Sequence, residues 1–214
     1  MYVAGIDEAG RGPVLGPMVM TIAVGKVEDL DKLKELGVKD SKLILPEKRR
    51  ELYKKLKKML EFKTISVSAA EIDKRRKIES LNIIELKTSA DLINFIETKL
   101  ERVYVDCPDI NPDKYKEKLK AYLEKNDKLI VEHKADMNYL IVGAASIIAK
   151  VERDLSMVKL EKKYKLELGS GYPHDPKVVA FLKTLNGNEK FPFIRKSWQS
   201  YINAINNLKQ NKLF

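Results

Sequence analysis

The sequence predicts an α/β protein, and three observations lead there. Short apolar runs rich in β-branched or aromatic residues recur at 2–6, 18–24, 62–69, 103–105 and 129–131, as buried strands do. Amphipathic helical patterns separate them. A small-residue apolar stretch, Val142-Gly143-Ala144-Ala145-Ser146-Ile147-Ile148-Ala149, suits a central helix packed closely on a sheet.

The first run ends in Asp7-Glu8, and a glycine-rich turn, Gly10-Arg11-Gly12-Pro13, follows at once. Residues 18–24 form a second strand, expected to pair with the first as a hairpin. A short charged helix over 28–37 closes at Gly37, and Lys39-Asp40-Ser41-Lys42 makes a polar loop. Pro46-Glu47 opens an amphipathic helix with Leu52, Leu56, Met59 and Leu60 on one side. After the third strand, Ser68 and Glu71 have capping-box spacing for a short helix near Ile72. A long helix is expected over 82–101, with Ile84, Leu92, Ile96 and Leu100 among its apolar positions. The strand at 103–105 ends at Asp106 and is stopped by Cys107-Pro108. A basic amphipathic helix over 112–124 precedes the fifth strand, which runs into Glu132-His133-Lys134-Ala135-Asp136. Helix is expected over 137–164, then a loop at 169–173, a helix over 175–185, a loop over 186–192 and a last helix over 197–209. No repeat or linker interrupts the first 165 residues. The expected organisation is a main domain over 1–165 with a helical extension over 166–214 packed on it.

Composition narrows the function. Net charge is +10, from 41 basic and 31 acidic residues, which fits a polyanionic partner or a Lys- and Glu-rich surface from a hot environment. No apolar run approaches the roughly 20 residues of a membrane helix. The N-terminus has no basic region followed by an apolar stretch and a cleavage site. One cysteine, Cys107, makes no internal disulfide. These features predict a cytoplasmic monomer with no membrane role.

The chemistry lies in the acids. Asp7, Asp106 and Asp136 each follow an apolar strand, and Glu8 adjoins the first. If those strands are neighbours, all four acids converge at one end of the sheet. Clustered carboxylates raise one another's pKa unless cations neutralise them. Oxygen-only donors select hard divalent ions such as Mg²⁺ or Mn²⁺. Two such ions about 4 Å apart serve phosphodiester cleavage. No zinc-spaced Cys/His cluster, phosphate-binding GxxxxGK[ST] loop, GxGxxG or serine-nucleophile motif is present.

Residues 5–17, GIDEAGRGPVLGP, resemble the signature of the ribonuclease HII family. The resemblance continues through Asp40-Ser41-Lys42, the strand ending at Asp106, and His133-Lys134-Ala135-Asp136. It extends over residues 144–151 with Arg153-Asp154, and Gly169-Ser170-Gly171-Tyr172-Pro173. It covers residues 2–200 in order and is most similar to archaeal members. It implies a ribonuclease H-like fold: a mixed five-stranded sheet flanked by helices, with a helical C-terminal extension. It implies metal-dependent cleavage of the RNA strand of RNA–DNA hybrids. It also implies incision on the 5′ side of ribonucleotides embedded in duplex DNA, leaving 5′-phosphate and 3′-hydroxyl ends. By the same resemblance Asp7, Glu8, Asp106 and Asp136 are catalytic metal ligands for two Mg²⁺ or Mn²⁺ ions. Gly10, Arg11 and Gly12 read the 2′-hydroxyl largely through backbone groups, and Tyr172 stacks on the adjoining sugar. Lys42, Ser146 and Lys150 contact or orient the nucleic-acid backbone.

Two departures matter. His174 stands where many relatives carry a small hydroxyl residue. The C-terminus offers Gln210, Leu213 and Phe214 toward a sliding clamp but lacks the full spacing and second aromatic of a clamp-binding peptide. Elsewhere the simple readings hold: Glu132 and Asp154 as surface or helix ion-pair partners, His133 and His174 as loop residues, and Cys107 as a small buried residue. Trp198 and Tyr201 read as helix packing, and Arg195 and Lys196 as phosphate contacts or surface charge. A non-catalytic nucleic-acid-binding module of the same fold would need disrupted acids, and all four are intact.

Overall fold

The structure, a computed structural model, describes residues 1–38, 44–125, 128–188 and 190–210, with side chains to Asn207. Five strands form one sheet in the order β3-β2-β1-β4-β5: β1 Tyr2–Ala9, β2 Met18–Lys26, β3 Glu61–Val67, β4 Leu100–Asp106 and β5 Leu129–Glu132. β1 pairs antiparallel with β2, from Tyr2 opposite Lys26 to Ala9 opposite Val19. It pairs parallel with β4, which pairs parallel with β5. The sheet is therefore mixed, and the expected hairpin is present. The helices are α1 Leu30–Glu35, α2 Pro46–Met59, α3 Ala69–Arg75, α4 Leu81–Phe95, α5 Pro112–Lys120, α6 Ala135–Asn138, α7 Leu140–Tyr164, α8 Pro176–Lys183 and α9 Gln199–Gln210. A 3₁₀ turn, Val27–Asp29, precedes α1. Among the described residues no helix is long and apolar enough to cross a membrane.

The chain divides into two compact units that interleave in sequence. The first comprises Met1–Ala9, Val19–Ile65 and Leu81–Val151; the second comprises Gly10–Met18, Ser66–Ser80 and Glu152–Phe214. In the first unit α7 is the central helix. Ile141, Val142, Ala144, Ala145, Ile147, Ile148 and Ala149 are all buried. β1 meets it with Gly5, where a Cβ would sit 2.5 Å from the backbone of Ile141 and Val142. Only glycine permits that approach. Val3, Ala23, Leu33, Leu52 and Leu56 complete the same core. The second unit has its own core, built from Val14, Leu15, Met157, Leu168, Val178, Phe181, Phe193, Ile194 and Tyr201.

Local signals hold where they are side-chain caps. Ser68 Oγ accepts from the Glu71 amide at 3.2 Å and starts α3. Asn111 and Asp175 cap α5 and α8, each with proline at the first turn. Two expectations shift. The helix placed over 82–101 ends at Phe95, and Leu100 and Glu101 belong to β4. Pairing of Leu100 with Tyr2 in the parallel ladder outweighs the helical spacing of its apolar residues. The helix placed over 137–164 is broken at Tyr139, which is extended at φ −123° and ψ 118°. The Tyr139 ring packs on Tyr104 with centroids 4.2 Å apart, and its hydroxyl donates to Glu132 at 2.9 Å. Those contacts separate the short α6, which carries Asp136, from α7.

Candidate active site

The acids of the first unit occupy one end of its sheet. In the parallel register Ile6 faces Val105, so Asp7 and Asp106 emerge as the next residues of neighbouring strands. Carboxylate oxygens of Asp7, Glu8 and Asp106 all lie within 4.8 Å of one another. Adjacent strand residues ordinarily point to opposite faces. Here Glu8 joins Asp7 at the strand's end, and its own amide donates to Asp7 Oδ1 at 2.7 Å.

Asp136 is supplied by α6 of the same unit. It is 3% exposed, in the first turn of α6, and borders a cleft of about 210 Å³ with Lys34, Met137, Asn138 and Leu140. Its carboxylate is not among the three that crowd together. The two positions are still joined through the backbone: Asp106 Oδ1 accepts from the Ala135 amide at 2.7 Å, one residue before Asp136. Lys134, at φ 57°, makes the left-handed turn that brings this amide round.

Burial pushes the Asp7 carboxyl well above its ordinary value, and the neighbouring charges of Glu8 and Asp106 push it further. A hydrogen bond from Ser146 and the positive charge of Lys150 work against that rise. Ser146 and Lys150 are one turn apart on α7, and Lys150 Nζ donates to Ser146 Oγ at 2.8 Å. Ser146 is fully buried. Both residues, expected from the sequence to contact or orient nucleic acid, also act on Asp7. Cys107 is buried beside the cluster, its thiol raised by burial and donating to the Asp109 carbonyl at 3.4 Å. His133 stays in the loop, with Nδ1 3.3 Å from the Cys107 carbonyl oxygen.

The donor set suits a hard cation. Three carboxylates are held as a group with only oxygen ligands, and one of them is buried against its own charge. A divalent ion would relieve the repulsion that raises Asp7.

In the second unit, Gly10, Arg11 and Gly12 open the loop before Met18. Gly10 has φ 86°, and a Cβ there would collide with the Arg153 side chain and the Pro17 carbonyl. A Cβ on Gly12 would sit 3.5 Å from the Tyr172 ring, which lies 5.6 Å from the Arg153 guanidinium. The structure thus brings together the glycine-rich loop and the tyrosine that sequence reasoning paired across 160 residues of chain. His174 is beside them, its ring 5.6 Å from that of Tyr172.

Two residues of this unit were missed. Arg195, read as a phosphate contact or surface charge, is completely buried and donates to three carbonyls of the 10–16 loop. Trp198, read as helix packing, donates Nε1 to the Gly12 carbonyl at 3.0 Å. Their partners are backbone atoms 179–186 residues away, so no side-chain pattern announces them. Lys42, Leu213 and Phe214 lie outside the described residues, and the Gln210 side chain is not described.

The model of the family described as Ribonuclease HII matches residues 4–201. A ribonuclease HII of Methanococcus maripaludis (strain C6) is 43% identical over 217 residues, covering 99% of this chain and 90% of the relative. The crystal structure of ribonuclease H2 from Pyrococcus horikoshii OT3 is 39% identical and superposes with a TM-score of 0.90 over 99% of this chain and all of that one. A ribonuclease HII from Archaeoglobus fulgidus, solved in complex with PCNA, is 36% identical with a TM-score of 0.85, over 93% and 96% of the two chains.

Proposed function

The chain belongs to the ribonuclease HII family and is a hydrolytic ribonuclease H endonuclease; from that premise we propose the finer activity that its residues serve. It cleaves the RNA strand of RNA–DNA hybrids and incises 5′ to ribonucleotides embedded in duplex DNA, giving 5′-phosphate and 3′-hydroxyl ends. The observation that carries this reading is the group of Asp7, Glu8 and Asp106 at the ends of parallel strands. Asp136 follows at the start of α6.

In this reading Asp7, Glu8, Asp106 and Asp136 hold Mg²⁺ or Mn²⁺, with two ions in the reacting complex. When bound, divalent cations polarise the scissile phosphate and make water a nucleophile near neutral pH. The chain's own part is to keep the carboxylates ionised and aimed. Ser146 and Lys150 favour the charged form of Asp7. The Glu8 amide fixes one oxygen of Asp7, and the Ala135 amide fixes one of Asp106. Hydrogen bonds to an ionised carboxylate are the stronger kind, so these donors limit how far the acids swing apart.

Recognition falls to the second unit. Gly10, Arg11 and Gly12 read the 2′-hydroxyl, the group that distinguishes a ribonucleotide from its neighbours. Tyr172 stacks on the sugar beside it, and Lys42 meets the nucleic-acid backbone. The catalytic portion proposed for residues 1–165 holds all four acids, and the extension proposed for 166–214 carries Tyr172. The A. fulgidus relative was solved with PCNA; by that likeness Gln210, Leu213 and Phe214 form a weak sliding-clamp contact here.

A gel assay tests the proposal. Asp7→Asn and Asp106→Asn should lose cleavage of a duplex carrying one ribonucleotide while still binding an RNA–DNA hybrid. Full activity in either variant, or in wild-type protein with EDTA, overturns it.

A further inference from the structure

In the loop of residues 10–16 the amides of Val14, Leu15 and Gly16 are bonded to Gly171 and Phe193, and at Gly10, Arg11 and Gly12 it is the carbonyls that are held. Arg195, 0% exposed, donates Nη2 to the Gly10 carbonyl at 2.6 Å, Nη1 to Arg11 at 2.9 Å and Nε to Gly16 at 3.0 Å. Its own amide donates to the Val14 carbonyl at 2.9 Å, and the Gly16 amide donates to the Phe193 carbonyl at 2.8 Å. Trp198 lies with its ring 4.7 Å from the Arg195 guanidinium and donates to the Gly12 carbonyl. Arg153 adds a bond to the Leu15 carbonyl at 3.3 Å.

The segment that does the holding is itself fixed. Asp73 of α3 accepts from the Lys196 amide at 2.6 Å, the Ser197 amide at 3.1 Å and the Ser197 hydroxyl at 2.6 Å. Arg76, one turn on, lies 4.8 Å from the Trp198 ring and donates to the Ser197 carbonyl at 3.2 Å. The path runs from α3 to residues 195–198 and on to the loop.

A trans peptide is planar, with its C=O and N–H pointing in opposite directions. Fixing the Gly10 carbonyl toward Arg195 therefore turns the Arg11 amide the other way. Fixing the Arg11 carbonyl does the same for the Gly12 amide. Pro13 has no amide hydrogen, so the Gly12 carbonyl can be tied down by Trp198 with no donor to direct. Two successive backbone donors thus face away from the buried arginine. A guanidinium suits this task because its donors diverge in one rigid plane, whereas an ammonium is a point. Burying such a charge is costly unless every donor is used, so the loop's shape and the arginine's burial depend on each other.

We propose that Arg195, with Trp198 stacked on it, is the positioning residue that aims the Arg11 and Gly12 amides at a ribonucleotide's 2′-hydroxyl. It sets selectivity for that group without touching nucleic acid. The proposal rests on the reading of residues 10–12 as the loop that recognises the ribonucleotide.

Arg195→Met and Trp198→Phe test it, the second keeping an aromatic ring beside the guanidinium while deleting the indole N–H. Two quantities are measured for wild type and variants: incision of a DNA duplex with one ribonucleotide, and affinity for the same duplex made wholly of DNA. Incision should fall about threefold in Trp198→Phe, as loss of one neutral hydrogen bond implies, and about tenfold or more in Arg195→Met, as loss of bonds to a charged donor implies. Affinity for the all-DNA duplex should stay at the wild-type value. Wild-type incision in the folded Trp198→Phe protein overturns the proposal. So does a parallel fall in all-DNA binding, which marks general loss of structure. If Arg195→Met does not fold, Trp198→Phe decides. Wild-type protein that fails to incise at a ribonucleotide removes the functional reading first, before any variant is compared.

Discussion

The two units solve opposite electrostatic problems. In the first, three carboxylates are gathered within 4.8 Å and one is buried, so Asp7 is driven toward its neutral form. In the second, a guanidinium is buried completely and settled by backbone carbonyls at 2.6–3.0 Å. The carboxylate group is strained until a cation arrives. The arginine is satisfied by the fold itself. The contrast separates a site built to bind something from one built to hold something still.

The largest effect is expected in the acids. Asp7→Asn and Asp106→Asn should each lower incision by at least about 10³-fold, the scale of losing a catalytic group. Residual activity near wild type would mean that the carboxylate group is structural. Next comes Tyr172→Ala. Stacking against nucleic acid is worth about 1–3 kcal/mol, so incision at a single ribonucleotide should fall roughly tenfold while calorimetric Mn²⁺ binding is unchanged. If metal binding fell as well, the separation between the units would fail.

The pH profile gives a third test. Asp7 must be ionised to hold a cation, and its raised pKa means that it takes up a proton earlier than an ordinary carboxylate as pH falls. A cation competes with that proton, so at limiting Mg²⁺ incision should decline on the acid side above the usual carboxylate range, and added Mg²⁺ should move the acid limb to lower pH. An acid limb that did not move with Mg²⁺ would contradict the burial argument.

The smallest effects are in stability, and they have opposite signs. A raised folded-state pKa means that the folded metal-free protein binds a proton that the unfolded chain releases. Stability then falls as pH rises between the unfolded and folded values, and the cost is fully present above the folded value. Asp7→Asn should remove that cost and raise Tm in EDTA at neutral pH, by about 2–4 °C for each kcal/mol relieved in a chain of this size. Gly10→Ala should lower Tm, since φ 86° disfavours a side chain and the new Cβ would displace Arg153. Calorimetric scans of both variants check the signs.

How much was legible in the sequence follows the same division. Asp7, Glu8 and Asp106 were readable because β-branched runs end in acids, and neighbouring strands place those ends together. Asp136 was readable as an acid after a strand, but its place inside α6 depends on the break at Tyr139, which stacking on Tyr104 creates. Ser146 and Lys150 were visible as candidates, and their effect on Asp7 was not, because it depends on the packing of α7 against β1. The end of α4 was missed because Leu100 fits the helical spacing and joins β4 only by long-range pairing. The buried role of Arg195 was hidden. A charged side chain reads as surface, and backbone carbonyls leave no mark in a sequence. The contiguous division at residue 165 also differs in kind from the interleaved units, in which residues 10–18 and 66–80 group with the C-terminal segment.

The most direct measurement maps the cut. Wild-type protein is given a DNA duplex with one ribonucleotide, and an all-DNA control, with Mg²⁺, with Mn²⁺ and with EDTA. The account predicts a single incision immediately 5′ to the ribonucleotide, with a ligatable 3′-hydroxyl and 5′-phosphate, only when a divalent ion is present. Cutting of the all-DNA control at a similar rate, or cutting in EDTA, would contradict it.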